Sequence, residues 1–207
     1  MIYLLGASGQ AKVVCDLLDV SGIKCLGLYD DVYEPDNKEY NSFGLLEKIT
    51  AVENCKSEAR FHIAIGVNSI RKKIAGAKSQ LNFPLLIHPS AIISKSAGLG
   101  AGTICMAGSI VQAAAQIGKH CIINTNASVD HDCVLQDFSQ VAPGATVCGN
   151  VTIGECSYVG AGAVIKQGIR VGKNVMIGAG AVVVKDIPDN CMVYGNPATI
   201  IKEGQFV

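Results

Sequence analysis

Residues 123–147 read INTNASVDHDCVLQDFSQVAPGATV, and an aliphatic side chain returns at every sixth position of this stretch. The same spacing runs from Ile87 to Val183, with Cys105 as the one member that is not aliphatic. A period of six fits neither an α-helix nor an alternating strand, and it is typical of a β-helix. Three such hexads would form one triangular coil, so we expect side chains eighteen residues apart to stack.

The first part of the chain has a different pattern, in which apolar runs alternate with segments of helical spacing. The runs that read as strands are residues 2–5, 23–29, 61–65 and 85–87, and those that read as helices are residues 10–20, 45–52 and 70–81. This alternation predicts a small Rossmann-like parallel sheet with helices outside it. We therefore expect an α/β domain over residues 1–84, a left-handed parallel β-helix over 85–190 and a C-terminal cap over 191–207.

Composition excludes several classes of function. Among the 207 residues, 17 Lys and Arg balance 17 Asp and Glu, so nothing favours electrostatic binding to nucleic acid or to an anionic membrane. No apolar run reaches the length of about 20 residues that a spanning helix needs, and no basic stretch opens the chain as in a signal peptide. The nine cysteines form no CxxC pair, which predicts free thiols in a reducing cytoplasm and no zinc site.

His131 is the candidate catalytic side chain. It is the third residue of its hexad, where we expect side chains to point outward at a corner. The residues eighteen positions before and after it, Ala113 and Gly149, are small and would leave an open notch around the ring. A flanking carboxylate, from Asp130 or Asp132, would orient the ring or raise its pKa. The alternative is a solvated surface histidine.

Three segments at the ends of the predicted strands could line one crevice. The turn at residues 6–9 lies between a strand and a helix, where amides and the helix dipole favour phosphate. An acidic pair ends the second strand, where a carboxylate commonly meets a ribose. The candidate binding residues in these segments are Gly6, Ser8, Gly9, Gln10, Asp30, Asp31, Gly66, Asn68 and Arg71.

Several motifs spread over the whole chain carry a family resemblance. They are GASGQAKVV at residues 6–14, AIGVN at 64–68 with Arg71, IHPSA at 87–91, NT at 124–125, VDHDC at 129–133, APGA at 142–145 and GNPA at 195–198. With these motifs the chain resembles the nucleotide-sugar acetyltransferases of the hexapeptide-repeat superfamily. It is most similar to the group that N-acetylates UDP-4-amino sugars, together with the related sialic-acid O-acetyltransferases.

The resemblance implies roles for particular residues. His131 would be the general base, Asp132 its support and Gly149 an oxyanion donor through its amide. Acetyl-CoA would be the co-substrate, with no metal required, and a nucleotide sugar would bind the N-terminal sheet. The residues implied for acetyl-CoA are Gln140, Ala161, Gly162, Ala179, Gly180 and Pro197. Members often carry histidine where this chain has Gln10, and many have a second histidine in the segment that contains Gln140, so the sugar is not specified.

The resemblance also implies a homotrimer with the acyl-CoA cleft between neighbouring prisms. Apolar residues on the prism faces, Ile104, Ile110 and Ile122, are expected to be exposed and to need partners. Three alternatives to the N-acetyltransferase remain open. They are an O-acetyltransferase acting on sialic acid or a related sugar, a zinc-dependent carbonic anhydrase of the same repeat class, and a nucleotide-sugar-binding scaffold without catalysis. The carbonic anhydrase needs three histidine ligands, and no histidine follows His131.

Overall fold

The computed structural model describes residues 1–32, 44–52 and 59–204. Their contacts divide the chain into two compact units, the first formed by Met1–Gly66 and Lys73–Pro84 and the second by Val67–Lys72 and Leu85–Val207. The first turn of the helix that follows residue 66 thus groups with the repeat, whereas the sequence placed it in the N-terminal domain. The reason is a set of hydrogen bonds from this turn to the coils, which is described with the site below.

The first unit is a four-stranded parallel sheet with the order β3-β2-β1-β4. Its elements are β1 (Ile2–Leu5), α1 (Gly9–Val20), β2 (Cys25–Tyr29), β3 (Leu45–Glu47), a 3-10 turn (Ile49–Ala51), β4 (Phe61–Ile63) and the part of α2 (Asn68–Ala77) that begins at Lys73. The buried face of α1 carries Val14, Leu17 and Leu18, as the helical spacing predicts.

Two predictions for this unit are wrong. Residues 45–52 form an edge strand and a 3-10 turn instead of a helix, because Leu45 pairs with Leu28 and satisfies the open edge of β2. Residues 85–87 do not add a fourth strand to this sheet. Their strand, β5 (Leu86–Ile87), pairs with Ile104–Cys105 and begins the repeat.

The second unit is the predicted parallel β-helix. Two-residue strands recur every six residues, and their registers join residues eighteen apart, as in Ile123 with Val141 and Val129 with Val147. The strands are β6 (Ile92–Ile93), β7 (Gly98–Leu99), β8 (Ile104–Cys105), β9 (Ile110–Val111), β10 (Gln116–Ile117), β11 (Ile122–Ile123), β12 (Ser128–Val129), β13 (Val134–Leu135), β14 (Gln140–Val141), β15 (Thr146–Val147), β16 (Thr152–Ile153), β17 (Tyr158–Val159), β18 (Val164–Ile165), β19 (Arg170–Val171), β20 (Met176–Ile177) and β21 (Val182–Val183). The predicted period and stacking are confirmed.

The coils close into three sheets. A five-stranded sheet has the order β19-β16-β13-β10-β7, and a six-stranded sheet has the order β21-β18-β15-β12-β9-β6. The third sheet runs from β5 through β8, β11, β14, β17 and β20 to a terminal antiparallel hairpin of β22 (Cys191–Gly195) and β23 (Ala198–Glu203). The hairpin lies where the sequence predicted a cap, within residues 191–207. We call this third sheet the eight-stranded sheet.

The core of the prism is filled by two residues of each hexad. The aliphatic series points inward, and so do the small residues two positions before each member, such as Ala127 and Cys133, which are fully buried. The expectation that Ile104 and Ile122 are exposed is wrong, because they are 0% and 1% exposed. Ile110 is half-buried. Of these three residues, only Ile110 therefore remains as an argument for a partner subunit.

The adjacent residues Val134 and Leu135 test which side of the strand builds the core. Leu135 is 1% exposed and points inward, whereas Val134 is 41% exposed. We expect Leu135→Ala to lower the free energy of unfolding by about 2–5 kcal/mol, because it leaves a cavity in a closed prism. Val134→Ala is the matched control and should change the stability by about 0.5 kcal/mol or less. Urea denaturation followed by circular dichroism measures both, and equal losses would contradict the inward assignment of Leu135.

Candidate active site

His131 lies at the corner that follows β12, where the chain passes from the six-stranded to the five-stranded sheet. Its side chain is 58% exposed, and the expected outward direction is therefore observed. The imidazole Nδ1 lies 2.8 Å from Oδ2 of Asp132. The backbone N–H of His131 donates to Oδ1 of Asp130 at 2.7 Å. Both neighbouring carboxylates thus hold the histidine, one through the ring and the other through the main chain.

This arrangement determines the charge and tautomer of the ring. The pKa of His131 is raised, chiefly because its side chain is hydrogen-bonded to Asp132 and next because the charge of Asp130 is near. A carboxylate can only accept, so Nδ1 carries the shared proton in the neutral ring. The Nε2 atom then has a free lone pair and is the basic nitrogen. The geometry is that of a general base with an acidic support.

Gly149 lies one coil beyond His131 and directly beneath its ring. A Cβ added at Gly149 would lie 2.6 Å from Cε1 and Nε2 of His131, so only glycine leaves the ring in this place. The corners stack through the main chain, since the Asn150 N–H donates to the His131 carbonyl at 2.9 Å. Within the described ranges the Gly149 N–H donates to no acceptor. A basic nitrogen and an uncommitted amide donor therefore lie side by side.

A cavity of about 450 Å³ opens at this corner. It is lined by Asp130, His131, Cys148, Gly149, Asn150, Gln167 and Gly168. Sequence reasoning found the histidine, its neighbouring acids and Gly149, but it missed Cys148, Asn150 and Gln167. The signal was present, because Gln167 is eighteen residues beyond Gly149 in a repeat whose period was known.

The residues implied for acetyl-CoA lie on another edge of the prism. Ala161, Gly162, Ala179 and Gly180 are exposed at corners that follow β17 and β20, between the eight-stranded and six-stranded sheets. Pro197 is exposed in the turn of the terminal hairpin. These five residues lie together toward the C-terminal end of the β-helix. They do not lie at the corner of His131.

Gln140 differs from the other residues of that set because it is buried. It points outward from β14 on the eight-stranded sheet and is only 6% exposed. Its Oε1 atom is buried and has no hydrogen-bond partner among the described residues. A contact between Gln140 and a co-substrate stays a prediction.

In the first unit, the turn after β1 is fixed by Asp30. The Ala7 N–H donates to Oδ2 of Asp30 at 2.6 Å, and the Val32 N–H donates to Oδ1 at 3.1 Å. Gly6 has a φ of +115°, and a Cβ there would lie 2.8 Å from the Ala64 carbonyl oxygen, so the turn requires glycine. The structure therefore uses the Asp30 carboxylate within the turn, and its predicted contact with a ribose stays a prediction.

The other predicted residues of this turn differ in exposure. Ser8 and Gly9 are exposed at the start of α1, and Asp31 is exposed after β2. Gln10 is half-buried, and its Nε2 atom is buried without a partner among the described residues. Gly66 is half-buried after β4. Ser8 and Gly9 thus lie exposed between a strand and a helix, and their contact with a phosphate stays a prediction.

Asn68 and Arg71 are placed differently from the prediction of a substrate contact. They are 3% and 1% exposed. The Arg71 guanidinium donates to the carbonyls of His120 and Phe138 at 2.8 and 2.9 Å, and Asn68 donates to the Cys156 carbonyl at 2.9 Å. Arg71 also donates to Oδ1 of Asn68. These side chains hold the corners of three successive coils, and this engagement accounts for their burial.

We call Asn68, Arg71 and Lys72 the corner clamp. Lys72 completes it through an ion pair with Glu155 at 2.9 Å. Burial lowers the pKa of Arg71 to about 10, so the guanidinium remains charged at neutral pH. The corner clamp occupies the prism edge between the five-stranded and eight-stranded sheets, which is distinct from the edge of His131.

His120 is not a second base. It is 7% exposed, and burial, followed by the charge of Arg71, lowers its pKa to about 4. Its ring stacks on Phe138 with centroids 5.3 Å apart. A buried neutral ring in this stack packs as a structural group.

Residues 1–32, 44–52 and 59–204 contain no group of three or more His, Cys, Asp or Glu side chains arranged to hold a metal ion. In the same part of the chain, no helix has the length and apolar character that crossing a bilayer requires.

Two family models match the chain. Residues 1–77 match the PglD N-terminal domain. Residues 132–167 and 150–185 match the six-repeat bacterial transferase hexapeptide family. The two matches fall on the parallel sheet and on the β-helix, respectively.

Solved structures and a curated protein give a consistent comparison. The acetyltransferase domain of PglB from Neisseria gonorrhoeae in complex with acetyl coenzyme A has 38% identity and a TM-score of 0.90, covering 97% of this chain and 98% of that one. PerB from Caulobacter crescentus in complex with CoA and GDP-perosamine has 33% identity and a TM-score of 0.86, covering 97% of each chain. UDP-N-acetylbacillosamine N-acetyltransferase from Bacillus subtilis is 38% identical over 111 residues, and this alignment spans about half of each protein, 51%.

The pKa of His131 tests its hydrogen bond with Asp132, and this test needs no substrate. Because the Asp132 bond is the main cause of the raised pKa, we expect Asp132→Asn to move it down toward about 6.5, the ordinary value of histidine. A titration of the His131 Cε1 proton by NMR measures the change. Asp31→Asn, at an exposed acid of the first unit, is the control and should leave it in place. A pKa unchanged in Asp132→Asn would contradict the proposed pairing.

Proposed function

Because the chain belongs to the PglD family of hexapeptide-repeat sugar N-acetyltransferases, we propose that it transfers an acetyl group from acetyl-CoA to the amino group of a nucleotide-linked sugar. The observation that carries this proposal is the His131–Asp132 pair, whose free Nε2 lies over the Gly149 amide in an open cavity. A base next to an oxyanion donor is the machinery that acyl transfer needs.

Acetyl-CoA is proposed as the donor because the PglB acetyltransferase domain, which is similar over almost the whole chain, binds acetyl coenzyme A. Ala161, Gly162, Ala179, Gly180 and Pro197 are the residues that we propose to contact it, and their exposure along one edge supports this role. No residue of the proposed mechanism requires a metal. We also place the reaction in the cytoplasm, because the cysteines of the described residues are free thiols, as is usual in a reducing compartment.

The proposed acceptor is a UDP-linked 4-amino-dideoxy sugar. The proposal of UDP rests on the name of the Bacillus relative, UDP-N-acetylbacillosamine N-acetyltransferase, which is 38% identical to this chain over 111 residues. The nucleotide would bind the first unit at the turn of residues 6–9, where Ser8 and Gly9 lie exposed at the start of α1. The helix dipole and free amides of such a turn favour a diphosphate.

The chemistry follows from the charges at the site. The sugar amine reacts in its neutral form, and His131 Nε2 takes one of its two protons as the nitrogen lone pair attacks the thioester carbon. The carbonyl π electrons move to oxygen, and the Gly149 N–H donates to that developing oxyanion. Asp132 stabilises the imidazolium that results. Collapse of the tetrahedral intermediate reforms the carbonyl, breaks the C–S bond and releases CoA, which takes the proton from His131.

We further propose that the protein acts as a homotrimer. His131 and the proposed acetyl-CoA residues lie on two different edges of the same prism, separated by the six-stranded sheet. A site that contains both would need the edge of a second copy. The six-stranded face carries exposed or half-buried apolar residues, Ile92, Ile110 and Val164, that such a copy would cover.

Removal of the base gives the first activity test. We expect His131→Asn to lower turnover by roughly 10²–10⁴-fold in a thiol-release assay with acetyl-CoA and a UDP-4-amino sugar. The melting temperature should not change, because the ring is largely exposed. His88→Asn, at a histidine of the first corner of the repeat, is the matched control and should keep full activity. Near-normal turnover of His131→Asn would refute the role of the base.

The same assay separates the alternative acceptors. Thiol release with a GDP-linked amino sugar but not with the UDP form would overturn the nucleotide assignment. Release with sialic acid alone would favour the O-acetyltransferase, and binding of the UDP-sugar without any thiol release would favour a non-catalytic scaffold.

Subunit mixing tests the shared site. We expect His131→Asn and Ala179→Trp to be inactive alone, because each removes one side of every site. Every mixed trimer would hold one intact site of three, where a wild-type His131 meets a wild-type Ala179 edge, so isolated mixed trimers should recover about a third of wild-type activity. Co-expression with two affinity tags supplies the mixed species, and sedimentation gives their stoichiometry. Absence of any recovery in isolated mixed oligomers would show that each site lies within one chain.

A further inference from the structure

Gln167 occupies the same corner position as His131 and Gly149 in successive coils. It lies one coil beyond Gly149 and two coils beyond His131. The registers of β12, β15 and β18 align the three residues, and the Gly168 N–H donates to the Gly149 carbonyl at 3.0 Å. Neighbouring coils are about 4.8 Å apart, the spacing of strands in a sheet. Gly149 has no side chain, so the space between His131 and Gln167 is open and belongs to the cavity of about 450 Å³.

The side chain of Gln167 is available for a ligand. Gln167 is exposed, and its carboxamide makes no hydrogen bond with any residue that the structure describes. Asn150, the other carboxamide of the cavity, instead follows Asp132 in the stack of left-handed corner residues. Gln167 is therefore the carboxamide that lies in line with the base and the Gly149 amide.

The reaction needs a donor at this place. The imidazole of His131 covers one side of Gly149, and the thioester carbonyl that accepts from the Gly149 N–H would lie beside it. One amide gives only one hydrogen bond to an oxyanion, which has room for more than one donor. A glutamine Nε2 on the next coil is long enough to reach an oxygen bound over Gly149. Such a donor binds an oxyanion more strongly than a neutral carbonyl, so it favours the transition state over the bound substrate.

On the basis of the proposed acetyl transfer, we infer that Gln167 is a further catalytic residue, which donates from Nε2 to the acetyl oxygen as it becomes an oxyanion. No bond to Gln167 forms or breaks, and the proton inventory of the reaction is unchanged. Gln167 thus adds a second hydrogen-bond donor to that of Gly149. It approaches the acetyl oxygen from the coil on the side away from His131.

Two substitutions of Gln167 test the donor role. Gln167→Glu keeps the size and the acceptor oxygen but removes the donor and adds negative charge, whereas Gln167→Leu removes both functions. We expect each to lower kcat by about 10²-fold, as loss of one oxyanion donor does, with little change in either KM. The melting temperature should stay constant because the side chain is exposed. Gln112→Leu, an exposed glutamine outside the cavity, is the matched control.

The outcomes separate this inference from the function on which it rests. If the wild-type enzyme is active and Gln167→Leu matches it, Gln167 is not catalytic and the proposed function stands. Retained kcat in Gln167→Glu with loss in Gln167→Leu would show that Gln167 accepts a hydrogen bond, which overturns the donor role. A raised KM at constant kcat would show ground-state binding and also overturn it. Wild-type protein that releases no thiol from acetyl-CoA with any amino sugar would overturn both proposals.

Discussion

The left-handed corner is the constraint on which the rest of this protein depends. Every sixth residue from Gly102 to Gly180 has a φ between +53° and +73°. Each such residue lies at a corner, where the chain turns from one side of the triangle to the next. Asp132 is one of these corner residues, with a φ of +57°. This conformation is accessible to Asp because its short polar side chain tolerates it. The turn that builds the prism also turns the carboxylate toward Nδ1 of His131. The hydrogen-bonded pair of His131 and Asp132 therefore follows from the repeat geometry and needs no separate loop.

The period of six was sufficient to predict the stacking and the notch at His131, because both depend only on chain position. It could not predict which residue types occupy the left-handed corners. Phe138, with a φ of +61°, is a bulky residue in a conformation that disfavours it. Its ring stacks against His120 one coil below, at 5.3 Å, so a contact eighteen residues away offsets a local preference. Such compensation becomes visible only when the coils are assembled.

Arg71 shows a different limit of reasoning from sequence. A polar residue shortly after a parallel strand is expected to face the ligand crevice, since strand ends converge there. This expectation holds only where no other hydrogen-bond acceptor competes for the side chain. Here the carbonyls of His120 and Phe138 present two acceptors on neighbouring coils, and one guanidinium fork bonds both. Only the stacked backbone reveals that spacing, so the sequence could identify the residue and not its partners.

The three edges of the prism have different surfaces, and their separation bears on how a complete site is made. One edge is covered by the corner clamp, one presents His131 above Gly149, and one presents exposed alanine and glycine corners at residues 161–162 and 179–180. Edges of one triangular prism point apart, so groups on two of them cannot close on the same thioester. In the proposed homotrimer, apposition of two copies would bring unlike edges together and would bury the apolar six-stranded face between them. This separation is the reason for the shared site that we propose, because His131 lies on one edge of a prism and the residues proposed to contact acetyl-CoA lie on another.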